Sequence, residues 1–339
     1  MVIRRKMSTA ACAAALTAAV LHVGGSPVAS AAPCPDDYVV AVPGTWETSN
    51  SEPEKGMLAM VTDGLPGDVR VDYVHYAATA FPWEGDVYGR SKQEATDKTR
   101  GLVAAMSREC AGTRIALLGY SQGADAAGDV AAEVGTGLGP AAPAQISLVG
   151  LIADPKRSPV DNLIGPPVLG AGAGGPRIGG FGWVSPQTFT FCASGDLYCS
   201  MPDGDFAGRI AGLAAQLSNP DPARVGDYQN QVGALINDAL AAGGLGLLSD
   251  QLNNTAYEQR RRQVDDFIKS GIHQSYPSYQ VGGGATPISW LRQKLFEVIR
   301  GRIAPVDLTP VDSTAGATPP RRIRRDCPGT TCRRVRPLR

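Results

Sequence analysis

The sequence predicts an α/β chain: a central, mainly parallel sheet with helices packed on both of its faces. Three observations carry that expectation. Apolar runs of strand length recur at 38–42, 69–76, 115–118, 146–153 and 188–191. Segments of helical texture alternate with them. The run at 115–118 passes into a small-residue helix at 124–134 through Gly119-Tyr120-Ser121-Gln122-Gly123, a turn too sharp for side chains at its shoulders.

Taken in order, residues 1–31 read as a secretory signal peptide. Arg4, Arg5 and Lys6 precede an apolar run at 10–20, and Ala29-Ser30-Ala31 offers a small-residue cleavage site. That run is shorter than the roughly 20 residues of a membrane span. Export to the medium or the cell envelope is therefore expected. Six cysteines then remain, Cys34, Cys110, Cys192, Cys199, Cys327 and Cys332. An even number in an exported chain favours disulfides, with the pairing left open.

Residues 32–304 are expected to form one domain. Its first strand, 38–42, leads into Pro43-Gly44-Thr45-Trp46-Glu47, and 69–76 is the second strand. Ser91-x-x-Glu94 reads as a capping box opening a helix that runs to 108, with Cys110 just beyond it. The strand at 146–153 ends in Asp154. The stretch 164–182 is mostly glycine, proline and small apolar residues, the composition of a long loop. The strand at 188–191 enters Cys192-Ala193-Ser194-Gly195-Asp196-Leu197-Tyr198-Cys199. Residues 203–265 have helical texture, and 232–252 is rich in leucine, alanine and glycine. Arg260, Arg261, Arg262, Asp265 and Asp266 read as a solvated helix face. Thr286-Pro287 opens a last helix with a core-facing stripe of Ile288, Leu291, Leu295 and Ile299, and Gly301 ends it. Residues 305–339 are Pro/Thr-rich, then basic, and are expected to be disordered.

Formal net charge is zero, so no overall field points to nucleic acid, and no nucleic-acid partner is expected. The charge is uneven, however: from Arg321 to Arg339 eight arginines face one acid, Asp326. Such an end would attract an anionic envelope surface.

The chemistry centres on Ser121. The turn pushes it up at the tip of its strand, above a helix N-terminus whose backbone N–H groups can hold an oxyanion. A serine hydroxyl is a poor nucleophile at neutral pH, so it needs an imidazole to take its proton and a carboxylate to orient that imidazole. Beyond the signal there are two histidines, His75 and His273. On sheets with this elbow the base follows the serine in the chain, which favours His273 over His75. Two aspartates compete as the acid. Asp154 ends a strand, whereas Asp196 sits between two cysteines that could close a small loop and fix its carboxylate; Asp196 is preferred.

These stretches together resemble the cutinase family of α/β-hydrolases, and most of all its mycobacterial cutinase-like esterases and envelope lipases. The likeness rests on Cys110 and the Gly-Tyr-Ser121-Gln-Gly that follows it, on Cys192-x-x-Gly195-Asp196-x-x-Cys199, and on His273-x-x-Tyr276. It extends to Val42-Pro-Gly-Thr-Trp-Glu47, Leu151-Ile-Ala-Asp154 and Gly175-Pro-Arg-Ile-Gly-Gly-Phe-Gly182. The resemblance implies a three-layer sandwich, Ser121, Asp196 and His273 as catalytic residues, and the N–H groups of Thr45 and Gln122 as the oxyanion hole. It also implies disulfides Cys34–Cys110 and Cys192–Cys199. The chain departs from the small members of the family in the 76 residues between Asp196 and His273. This insert could act as a lid or pack permanently as a helical subdomain.

The expectation is a secreted serine esterase or lipase acting on acyl esters, monomeric, with neither metal nor organic cofactor. Trp46, Tyr120, Phe181, Trp183 and Leu197 are candidates for an apolar cleft, with core packing the competing reading. The alternatives are a carbohydrate acetylesterase on the same fold and a non-catalytic envelope-binding protein.

Overall fold

The computed structural model describes residues 33–66, 68–202, 204–220, 222, 225–241 and 253–301. The expected signal peptide, the basic tail with Cys327 and Cys332, and the glycine-rich middle of the insert lie outside the described residues. The chain divides into two units, Met1–Cys34 and Pro35–Arg339. Of the first, Pro33 and Cys34 are described, and Cys34 is disulfide-bonded. The second carries the sheet.

Five strands form it: β1 (Asp37–Val42), β2 (Val69–Tyr73), β3 (Arg114–Tyr120), β4 (Ile146–Ile152) and β5 (Thr188–Phe191), in the order β2-β1-β3-β4-β5. Every pairing is parallel. From β1 the chain moves to one edge of the sheet, and from β3 it moves toward the other. The loops leaving the carboxyl ends of these two neighbours therefore diverge, and open a crevice between them.

Both faces of the sheet are covered, which explains why the strands read as nearly continuous apolar runs. On one face Tyr38, Val40, Val42, Ile115, Leu117, Val149 and Leu151 share a core with Ala95, Val103 and Met106 of α2 (Tyr88–Glu109). The same core includes Ala127, Val130 and Val134 of α3 (Gln122–Gly135). On the other face Val39, Ala41, Ala116, Leu118, Leu148 and Ile152 pack with Val61 of the short α1 (Ala59–Thr62). Ile288, Leu291, Leu295 and Val298 of α7 (Pro287–Ile299) complete that side. Helix, sheet and helix are the three layers of the α/β-hydrolase sandwich.

Thr286 caps α7 as expected, its side chain accepting from the Ser289 N–H, with Pro287 at the first helical position. In the stripe, Val298 takes the buried place expected of Ile299, which is only half-buried. Helix α2 corrects another expectation. It begins at Tyr88, three residues before the capping box read in the sequence. Ser91 accepts from Thr79 N–H and donates to Gln122, while Glu94 accepts from Ala77 N–H. Both side chains are spent on tertiary contacts, which a local pattern does not reveal. Strand β2 is also shorter than expected, ending at Tyr73, with Val74 N–H still donating to the Ala41 carbonyl of β1.

The insert is helical where it is described: α4 (Phe206–Gln216), α5 (Val225–Ala241) and α6 (Asn254–Ser270). Helix α4 is built into the body. Phe206 is buried, and a Cβ on Gly212 would stand 2.0 Å from the Ala173 carbonyl oxygen. Gln216 donates to Asp125 of α3, and Ser218, just past the helix, accepts from Gly89 N–H at 2.8 Å. No described side chain of α5 or α6 is buried. Arg261 and Arg262 are exposed as expected, whereas Arg260 pairs with Asp205 at 3.0 Å. Among the described residues no helix is long and apolar enough to cross a membrane.

Candidate active site

The crevice is where the elbow, the Cys192–Cys199 loop and His273 meet. At the end of β3 the chain turns through Ser121, whose φ of 54° and ψ of −121° are unusual for a residue with a side chain. Its N–H still donates to the Ile152 carbonyl, so the strand pairing holds the residue up to the turn itself. The two glycines answer to close approach. A Cβ on Gly119 would lie 2.5 Å from Ala124 Cα, and one on Gly123 would lie 2.0 Å from the Val42 carbonyl oxygen. Helix α3 thus starts pressed against the end of β1, directly beneath Ser121.

His273 lies on a single 3₁₀ turn, Ile272–Gln274, after Gly271 closes α6 in the left-handed conformation. Its Nε2 stands 2.8 Å from Ser121 Oγ, and its Nδ1 stands 2.8 Å from Asp196 Oδ2. Tyr120 fixes this turn from below, its hydroxyl donating to the His273 carbonyl at 2.6 Å and its ring stacking on the imidazole. The Tyr198 ring packs on the imidazole from another side, at 4.4 Å between centroids.

Asp196 is fully buried in the loop after β5, and Cys192 and Cys199 are bonded across that loop. Its Oδ1 accepts from the Tyr198 N–H at 3.0 Å, and its Oδ2 accepts from the Tyr276 hydroxyl at 2.6 Å. Burial and the Asp196 charge push the Tyr276 phenol well above its ordinary range, so it is a neutral donor. Cys110, at the end of α2, is disulfide-bonded as well.

The competing candidates have other work. Asp154 is buried against Arg177 and accepts from Lys156 N–H; no contact links it to an imidazole. Arg177 is the centre of a buried network that also takes in Asp125 and Asp129, with Lys156 and Lys92 beside them. Sequence reasoning quoted Arg177 only as part of a resemblance, because ion pairing between a loop, the end of β4 and helices α2 and α3 leaves no local pattern. His75 pairs with Thr48 at 3.1 Å on the β2 side.

On the opposite wall the loop after β1 crosses over the elbow. A Cβ on Gly44 would lie 2.7 Å from the Tyr120 ring and 3.3 Å from Ser121 Cβ. Thr45 follows Gly44 on this loop, and Gln122 follows Ser121 at the start of α3. The Gln122 side chain is buried, donating to Thr79 O and accepting from Ser91, which pins the first turn of that helix. Glu47, quoted in the sequence only within longer stretches, has a role that sequence reasoning did not assign. Its carboxylate accepts from Gly44 N–H and Met57 N–H, both at 2.9 Å, and so folds the loop back on itself. Burial raises its pKa.

Of the expected cleft residues, Phe181 belongs to the core on the α3 side and Tyr120 to the core beneath His273. Their apolar bulk is spent on packing. Leu197 lines a small cavity with Phe267 and Ile272, between the acid loop and α6. Trp46 is 65% exposed next to Thr45 and leads a group with Phe81 and the 79% exposed Trp83. Phe81 and Trp83, unremarked in the sequence, stack at 4.6 Å between centroids.

The Cutinase family model matches residues 33–209, just over half of the chain. A carboxylesterase Culp6 homolog from Corynebacterium glutamicum is 31% identical over 205 residues, which are 50% of this chain and 66% of that protein's length. Among solved structures, lysin B from mycobacteriophage D29 aligns over 78% of this chain and 99% of its own, with 17% identity and a TM-score of 0.45. The catalytic core of an acetyl xylan esterase from Trichoderma reesei aligns over 55% and 96%, with 19% identity and a TM-score of 0.43. With a parallel sheet, a glycine-flanked serine elbow and a family match of this extent, the chain belongs to the cutinase family.

Proposed function

We propose that the protein hydrolyses carboxylic esters of acyl chains through an acyl-enzyme on Ser121. The observation that carries this reading is the run of contacts from Ser121 Oγ through His273 to Asp196, 2.8 Å at each step. Ser121 Oγ attacks the ester carbonyl carbon while His273 Nε2 takes its proton. The resulting oxyanion is met by the N–H groups of Gln122 and Thr45. His273 then returns the proton to the departing alcohol, the acyl group stays on Ser121, and a water activated by the same imidazole releases it as the acid. Asp196 holds the imidazole in orientation and supports its positive charge in both halves.

The exposed Trp46, Phe81 and Trp83 beside the Thr45 loop favour acyl chains over small polar esters. A purely binding role is disfavoured by the hydrogen-bond distances that link Ser121, His273 and Asp196. Export fits the bonded cysteines, and the arginine-rich end would then hold the enzyme at an anionic surface.

The deciding experiment is labelling with a fluorophosphonate probe, combined with hydrolysis of p-nitrophenyl esters of increasing chain length. Label on Ser121, its loss in Ser121→Ala, and faster turnover of the longer chains are expected. A folded Ser121→Ala protein with full activity would overturn the reading.

A further inference from the structure

Tyr276 lies three residues after His273 and is fully buried. Its hydroxyl has three neighbours, one of them Cys199 Sγ at 3.4 Å. It accepts from the Ala193 N–H at 3.1 Å, which ties it to the end of β5, and it donates to Asp196 Oδ2 at 2.6 Å. That oxygen is the one facing His273 Nδ1. One carboxylate oxygen thus receives both the phenol and the imidazole, while the other receives the Tyr198 N–H.

We infer that Tyr276 is a positioning residue that sets how strongly Asp196 supports a charged His273, an inference that rests on the proposed serine-esterase reading of this site. A hydrogen bond from a neutral donor draws negative charge toward itself, leaving less to stabilise an imidazolium on the same oxygen. The short Tyr276 contact therefore keeps the base from holding its proton too tightly, and it fixes Oδ2 in the plane the imidazole needs. A phenol serves here because burial keeps it protonated throughout the working pH range.

Other groups facing His273 are Tyr120 from β3, Tyr198 from the acid loop, Phe267 from α6, and Ser121 itself. The Glu47 carboxylate on the β1 loop also feels the imidazole charge. None of these donates to Asp196 Oδ2 through a side chain, so Tyr276→Phe takes away the donor that shares Oδ2 with the imidazole; it also takes the phenol acceptor from the Ala193 N–H, a loss that Tyr279→Phe mirrors at the Ser194 N–H. Tyr279 is the natural control. Its hydroxyl accepts from Ser194 N–H at 3.2 Å on the same loop, two residues from the acid.

The sign of the effect follows. In Tyr276→Phe, Asp196 Oδ2 keeps only the imidazole, the imidazolium is held more firmly, and the base becomes neutral only at higher pH. The acid limb of the kcat/KM profile should move up by about half a pH unit, with kcat reduced and KM little changed. Site-specific 3-fluorotyrosine at position 276, a stronger donor, should move the limb down. Tyr279→Phe should leave it in place. The low-field Nδ1 proton of His273, followed by NMR without substrate, should titrate in the same directions. An unmoved limb and proton in Tyr276→Phe, or shifts of the same sign in the phenylalanine and fluorotyrosine proteins, would overturn the inference. A parent protein that takes no fluorophosphonate label and cleaves no ester would instead overturn the esterase reading, and the NMR titration would still decide the role of Tyr276.

Discussion

The elbow and the outer helices of the insert are both reached from a catalytic candidate, yet they are built on opposite terms. Around Ser121 the backbone itself is in contact: α3 meets the end of β1 at distances only glycine permits, and nearly every side chain of its first two turns is buried. Helices α5 and α6 bury no described side chain and leave Val232, Ile236, Leu240, Tyr257, Val264 and Ile268 exposed. The insert is anchored by α4 and its following turn, through Gly212, Gln216 and Ser218. The difference teaches where precision is required. A reacting oxygen must be held to a fraction of an ångström. A helix whose outer face meets solvent needs only its caps, here Asn253 accepting from Ala256 N–H and Gly271 at its end.

The comparison can be broken most directly at the nucleophile. Ser121→Ala should lower kcat by about 10⁴-fold or more while circular dichroism stays unchanged, and His75→Ala should leave hydrolysis near that of the parent. Equal losses in the two variants would mean that the elbow is not the centre of the chemistry. Next in size is Gly123→Ala, whose methyl must displace the Val42 carbonyl. A loss of about 3 kcal/mol in urea unfolding is expected, and a neutral result would show that the close approach is dispensable. Cys192→Ser opens a loop seven residues apart in sequence, so its stability cost should be near the low end, about 2 kcal/mol. Its larger effect should be on kcat, because the loop carries Asp196; a lower Tm with unchanged kcat would make the bond a staple only. The smallest effect belongs to the outer insert. Ile236→Ser should change stability by less than about 0.5 kcal/mol, and a cost like that of a core truncation would show that α5 is packed rather than displayed.

Much of this was legible in the residues. The strands stand where apolar runs of strand length are bounded by glycine and polar residues. The elbow is readable because its glycines are required by local geometry, and His273 because the alternative, His75, precedes the serine in the chain. Asp196 could be preferred over Asp154 because two cysteines bracket it. The capping box at Ser91 misled for a physical reason: the same short polar side chains that cap helices also hydrogen-bond across a fold. Arg177 and Tyr276 entered only through the resemblance, since each acts on partners distant in the chain, and Glu47 likewise, since its partners are backbone N–H groups of a loop that has no periodic pattern.

The sequence by itself therefore determined the alternation of strands and helices, the family and the three residues that converge on the crevice, because period, turn chemistry and chain order are local properties. Only the tertiary structure decided what surrounds them. It assigned Asp154 to a buried ion network, Phe181 to the core, Tyr276 to the acid, and the first helix of the insert to the body of the protein. Those assignments depend on which surfaces meet when the sheet is covered on both faces. Segments far apart in the chain supply the partners, so no stretch of sequence contains them.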